Sequence, residues 1–119
     1  QLNDTLTSVS TTQALTAAQG KEIADAFTGT KSTSGYQKLY GGLIIQWGTA
    51  AIVPAGTVVV FPIPFPNAAL SVTGTPQNAA PSATSVTVAT LLAAQFSCWA
   101  SNTAGAGVSI NVRWIAVGY

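Results

Sequence analysis

Hydrophobic positions follow two rhythms along this chain. Over the first 27 residues Leu2, Leu6, Val9, Gln13, Thr16, Gly20, Ile23 and Phe27 succeed one another in steps of four and three, the spacing of a heptad seam. The middle of that seam is polar, and the Ser/Thr-rich run from Thr5 to Thr12 is a poor helix former, so only its later half is expected to be helical. Thr16 can cap such a helix, with Gln19 as the partner in a capping box, and Phe27 followed by Gly29 marks its end. The pattern predicts a helix over residues 17–27. Alone it is too short to be stable in water, so it needs partners, expected to be other copies of itself.

After "TGTKSTSGYQK", residues 28–38, which reads as a loop or linker of small polar residues, the signals turn to β. Val, Ile, Thr, Phe and Trp dominate, cut by Gly, Pro and Asn. Six strands are expected near residues 43–48, 57–63, 69–75, 84–91, 95–101 and 108–117. In the last, Val108, Ile110, Val112, Trp114 and Ala116 share one face, while Ser109, Asn111 and Arg113 begin a second face that ends apolar at Ile115 and Val117. Trp47 falls on one face with Leu43 and Ile45, so Trp47 and Trp114 both read as core. The expected fold is mainly β: a small six-stranded antiparallel β-sandwich at residues 39–119, preceded by a stalk or linker at 1–38. A segment of this size encloses only a small core, and it carries more apolar residues than that core holds. Self-association is the simplest outlet.

Charge sharpens the division. Between Lys38 and Arg113 there is no Asp, Glu, Lys, Arg or His, and the whole 119-residue chain has a formal net charge of +1. That balance offers no footprint for nucleic acid or an anionic membrane surface. Gln46, Gly48, Pro54, Gly56, Pro62, Pro64 and Pro66 interrupt every candidate spanning helix, so membrane insertion is not expected. The chain begins at Gln1 and lacks Met, so the sequence is expected to be a fragment of a longer protein. Cys98 is alone, in an apolar run without a His to activate it, and reads as buried and inert. General acid–base catalysis, a nucleophile–base pair and metal ligation all need side chains that residues 39–112 do not supply, so no enzyme activity, cofactor or metal is expected.

Binding or structure remains. Antiparallel hairpins would gather the loops after the first, third and fifth strands at the end away from the stalk. These loops supply Gln77, Asn78, Ser82, Asn102 and Thr103, neutral hydrogen-bonding groups suited to a glycan, although each is also an ordinary turn former. Trp99 stands on a face with Ser97 and Ser101, which fits a subunit contact or a stacked sugar ring. Arg113 fits two roles: an inter-subunit anchor to backbone carbonyls, or a grip on an acidic sugar or phosphate. Tyr119, which flanks the domain, fits either kind of contact.

Four phrases, "STTQALTAAQGKEIADAF", "GLIIQWG", "VVVFPIPFPNA" and "VRWIAVGY", occur in an order that resembles the linker and C-terminal domain of bacteriophage and prophage tail fibre proteins. The resemblance implies a homotrimeric fibre tip at the distal end of the tail fibre in the virion. It implies recognition of a bacterial surface glycan, most often lipopolysaccharide, through a domain similar to the trimeric H-type lectin fold. It marks Gln46, Trp47, Phe61, Phe65 and Trp114 as fold and interface elements and carries over no receptor-contacting residue. The competing reading is a structural knob that sets trimer register and caps the fibre without binding a receptor.

Overall fold

The computed structural model describes residues 2–3, 5, 7, 9–77 and 83–119. At its start β1 (Leu2–Asn3) pairs in parallel with β2 (Ala14–Leu15). Thr16 then caps α1 (Ala17–Ala26), its hydroxyl accepting the Gln19 N–H at 3.3 Å. The return half of the capping box is missing, because Gln19 Oε1 has no hydrogen-bond partner. No residue of α1 is buried, and Ile23 and Phe27 stay exposed. The molecule measures 69 × 23 × 18 Å, with a radius of gyration of 19.7 Å. A compact chain of this length would have about 13.5 Å. The excess reflects a lead-in that projects from the β domain.

The segment read as a linker is partly strand. β3 (Gly29–Thr30) and β4 (Gly35–Lys38) form a hairpin, and β4 pairs with β5 (Ile44–Ile52). Small polar residues hid this strand, since a strand's pairing depends on its partners and packing more than on its own composition. The remaining strands are β6 (Thr57–Val60), β7 (Ala69–Pro76), β8 (Ala83–Leu91), β9 (Gln95–Asn102), β10 (Gly107–Val108) and β11 (Ile110–Gly118). The six expected strands fall on β5, β6, β7, β8, β9 and β11; β1, β2, β3, β4 and β10 add to them. One antiparallel sheet runs β3-β4-β5-β11-β7. In the other, β9 pairs with β8 along one side and with β6 and β10, end to end, along the other.

The inward faces close on an aromatic cluster. Phe61 lies 5.0 Å from Phe65, 5.4 Å from Phe96 and 5.7 Å from Trp114, and Phe96 lies 5.4 Å from Trp114, all between ring centroids. Trp114 sits on β11 between Gly48 of β5 and Gly74 of β7. A Cβ on Gly48 would stand 2.6 Å from Trp114 Cζ2, and one on Gly118 would stand 2.5 Å from Phe65 Cδ1. The glycines are the space that the rings occupy.

This packing overturns the expected parity of β5. Ile44, Gln46, Gly48 and Ile52 face inward and are buried, whereas Trp47 lies on the outer face with Ile45. Gln46 is wholly buried because its amide is fully used: Nε2 donates to Ile63 O at 2.8 Å, and Oε1 accepts the Ile63 N–H at 3.1 Å. Trp47 is outside because the inward position opposite Trp114 has no room for a second ring. Its Nε1 donates to Ser32 O at 2.9 Å instead.

The prolines also end β6 earlier than expected, at Val60. From Phe61 to Asn67 prolines occupy every second position, and each remaining N–H finds an acceptor off the ladder. Phe61 and Phe65 donate to Ala94 O and Ala93 O, Ile63 to Gln46, and Asn67 to Tyr119 O. Proline thus strips the segment of alternate donors without leaving a gap.

Two substitutions test this account. Gln46→Leu keeps the volume but orphans both buried groups of Ile63, so we expect a loss of about 3 kcal/mol in denaturant unfolding at fixed protein concentration. An unmoved midpoint would show that the amide does not hold Ile63. Gly48→Ala should cost about 2 kcal/mol by forcing Trp114 aside and should alter the near-ultraviolet circular dichroism of the tryptophans. Wild-type stability with an unchanged spectrum would contradict the seating of that ring.

Candidate functional site

The strand order gives the domain two distinct ends. The start of β5 lies between Lys38 of β4 and Gly118 of β11, so the lead-in joins at this end. Gln37 Nε2 holds Phe27 O, Lys38 N donates to Thr28 O at 2.8 Å, and the Phe27 ring stacks on Tyr40 at 6.4 Å. At the opposite end the finish of β5, at Ile52, pairs with Ile110. The 53–56 and 102–107 loops meet there: a Cβ on Gly107 would lie 2.7 Å from Pro54 O. Gln77, at the start of the next loop, donates its N–H to Asn111 O at 2.8 Å.

The sequence-predicted residues part company on this frame. Asn102 is mainly a turn former: its Oδ1 accepts the N–H groups of Ala104 at 3.0 Å and Ala106 at 2.9 Å. Its side chain holds the loop, while neighbouring Thr103 is exposed. Asn78 and Ser82 lie outside the described residues. Tyr119 is at the other end, where its carbonyl receives the N–H groups of Asn67 and Ala68. Gln77 and Arg113 come together, and Trp99 stands apart from both.

Arg113 lies on the outer face of the five-stranded sheet. Register puts it directly between Thr49 of β5 and Thr75 of β7, with Asn111 and Ile115 as its same-face neighbours along β11. Beside it is an open depression of about 410 Å³, lined by Thr33, Trp47, Thr49, Gln77 and Arg113, with Gly48 and Trp114 beneath. Among the described residues Arg113 has no ion pair; the one salt bridge joins Lys21 and Asp25 on α1. Trp47, Thr49 and Thr75 were missed as companions of Arg113. The parity of β5 was read in reverse, and cross-strand neighbours depend on register, which the sequence did not reveal.

The outer face of the other sheet has a different character. Trp99 projects there with Ser97 and Ser101, as its strand pattern predicts, and Val58 (55 % exposed) and Val60 (67 % exposed) stand on β6 beside them. Ser85 and Ser101 hydrogen-bond across β8 and β9 at 2.8 Å. No ionisable side chain of the Asp, Glu, Lys, Arg or His type belongs to any of these strands. This face is neutral and part apolar.

Little else here is equipped for chemistry. Cys98 is buried, and that burial pushes its thiol pKa up, away from the reactive thiolate. Among the described residues no group of His, Cys, Asp and Glu could hold a metal ion. Nor, among the described residues, is any helix long and apolar enough to cross a membrane. What the arrangement offers is one cation set among hydroxyl and amide groups on one face, and an uncharged, partly apolar surface on the other.

Comparison with known proteins gives this geometry a family. The chain resembles the N-truncated R1-type pyocin tail fibre at 26% identity and a TM-score of 0.68, over 89% of this chain and 98% of that structure. A longer C-terminal part of the P. aeruginosa R1 pyocin fibre matches equally well, with 32% of it covered. The N-truncated R2-type pyocin tail fibre shares the fold at 24% identity and a TM-score of 0.68, over 90% of this chain and 44% of that one. A search among curated proteins gave no match. Residues 38–119 match the model of the C-terminal region of gp53-like tail fibre proteins, and the chain therefore belongs to that family of tail fibre C-terminal domains.

Proposed function

We propose that this domain is the receptor-binding tip of a tail fibre on a phage or phage-like particle. It works as a homotrimer and attaches the particle to a glycan of the bacterial envelope, lipopolysaccharide being the leading class. The observation that carries this reading is the polarity of the chain. An extended lead-in, with no buried residue on its helix, enters at one end, and neutral loops occupy the other. A lead-in of this kind needs other copies to cover Ile23 and Phe27. A ligand rich in hydroxyls needs donors and acceptors rather than charge, which is what residues 39–112 provide.

The two outer faces divide the work. The sheet face bearing Val58, Val60 and Trp99 suits a neighbouring subunit, because burying it removes apolar surface from water and strands no charge. The opposite face carries Arg113 and is left for the ligand. Catalysis plays no part in this reading, since neither face provides a general acid or base.

Light scattering after size exclusion should give a mass near three times 12.0 kDa. Val60→Asp should lower that mass by placing a charge in the subunit contact, whereas Arg113→Gln should leave it unchanged. A clean wild-type monomer, or dissociation by Arg113→Gln alone, would contradict this division. The labelled chain should also bind some of a panel of Gram-negative strains and lose binding where the lipopolysaccharide is truncated. A trimer that binds no strain would instead be the structural knob.

A further inference from the structure

We infer that Arg113 is the centre of a subsite for an anionic sugar, with its guanidinium taking a carboxylate or phosphate and Thr49, Thr75, Gln77 and Trp47 receiving the rest of the ring. The inference rests on the receptor-binding reading above and names the ligand class for one face of the domain.

The first ground is electrostatic. Arg113 is the only side chain of the Asp, Glu, Lys, Arg or His type after Lys38. The acidic residues of the sequence are Asp4, Glu22 and Asp25, and none belongs to the β domain. Asp25 pairs with Lys21 and borders a depression with Lys38, Leu39 and Tyr40, at the end where the lead-in joins. No acidic partner on the domain's own strands therefore faces Arg113. A second copy of the same domain offers none either, since its corresponding surface repeats the cation. An external anion is the complement that this face lacks.

The second ground is geometric. A guanidinium presents a rigid fork of donors that matches carboxylate and phosphate oxygens two at a time. Here the fork has a hydroxyl directly across from it on either side, at Thr49 and Thr75, and the register alone fixes both. Gln77 and Trp47 join Thr49 and Arg113 around the same open depression of about 410 Å³, a volume suited to a sugar unit or two rather than to a bare ion. The Trp47 indole is held from behind by its bond to Ser32 O. It is half-buried and fixed, so its exposed part can receive the apolar face of a pyranose without first being ordered.

The third ground is the contrast between faces. The Trp99 face also bears hydroxyls, at Thr87, Ser97 and Ser101, but it has exposed Val58 and Val60 on β6 and no cation, whereas Arg113 stands directly between two threonines. Exposed β-branched hydroxyl residues keep strand propensity while leaving a surface wet, as a sugar-binding sheet requires.

The test is a titration of the isotope-labelled 119-residue chain with glucose 6-phosphate, glucuronic acid, glucose and inorganic phosphate at constant ionic strength, followed by nuclear magnetic resonance. Glucose 6-phosphate or glucuronic acid should shift the Arg113 Nε–H and the Trp47 indole N–H together, at least tenfold more tightly than glucose. Arg113→Gln should abolish that preference and Arg113→Lys should keep part of it. A response to glucose 6-phosphate alone assigns a phosphorylated glycan, and one to glucuronic acid alone assigns a uronic-type sugar. Inorganic phosphate acting as strongly as the sugar phosphate, without moving Trp47, would mean an adventitious ion only and would overturn the inference. So would shifts that persist in Arg113→Gln. Cell binding separates the two levels: equal binding by wild type and Arg113→Gln removes the subsite but leaves the receptor-binding reading. Anion-dependent shifts in a chain that binds no cells do the reverse.

Discussion

One buried amide sets the terms for the rest of this domain. The segment from Phe61 to Asn67 carries a proline at every second position, so it cannot extend the ladder of β6, yet it must bring Phe61 and Phe65 into the core. Gln46 resolves the conflict by acting as a substitute strand, giving Ile63 both the donor and the acceptor that a neighbouring backbone would have given. With the segment held, its rings pack on Phe96 and Trp114, and their bulk dictates glycine at positions 48 and 118. The phrases Gln-Trp-Gly and Trp-Ile-Ala-Val-Gly are thus two halves of one packing solution. The first supplies the amide and the gap; the second supplies the ring and another gap.

The same parity decides what lies outside. Because Gln46 and Gly48 take the inward places on β5, Trp47 and Thr49 are turned outward beside Arg113. Stability and the proposed recognition therefore draw on alternate residues of one strand, and neither can shift by a residue without exchanging the two sets. On the second sheet alternation separates the core residues Phe96, Cys98 and Ala100 from the outward Ser97, Trp99 and Ser101. A domain nearly without charge can thus expose two quite different surfaces. Their difference comes from a single guanidinium on one face and the exposed valines of β6 on the other.

The lack of charge fits the fibre family better than an isolated globule. A monomer gains solubility from charge, whereas a subunit surface loses by it, since each buried ion must be desolvated and paired. The lead-in follows the same logic from the opposite direction. It keeps Lys21, Glu22 and Asp25 on an exposed helix, where the Lys21–Asp25 pair costs little and contributes little, and its apolar Ile23 and Phe27 stay exposed.

Much of the fold was legible in the chain because it is local. The cap at Thr16, the helix it starts, the alternation of β11 and the turns at Gly and Pro each depend on residues a few positions apart, and each lies where the sequence put it. The hidden strand at Gly35–Lys38 and the orientation of β5 were not legible, because the first is a strand through its pairing with β5 rather than its composition, and the second depends on packing against β11, far along the chain. Hydrophobicity alone placed Trp47 inside; packing volume put it outside, and paired hydrogen bonds put Gln46 inside. Of the candidate site, the sequence singled out Gln77 and Arg113 by type, yet could not bring them together or show that Asn102 is occupied by its own turn. By itself the sequence determined most of the element types, the charge vacuum and the family, but not the strands within residues 28–38. Only the tertiary structure decided the parity of β5 and which strands face one another, because strand register is set by contacts between residues dozens of positions apart.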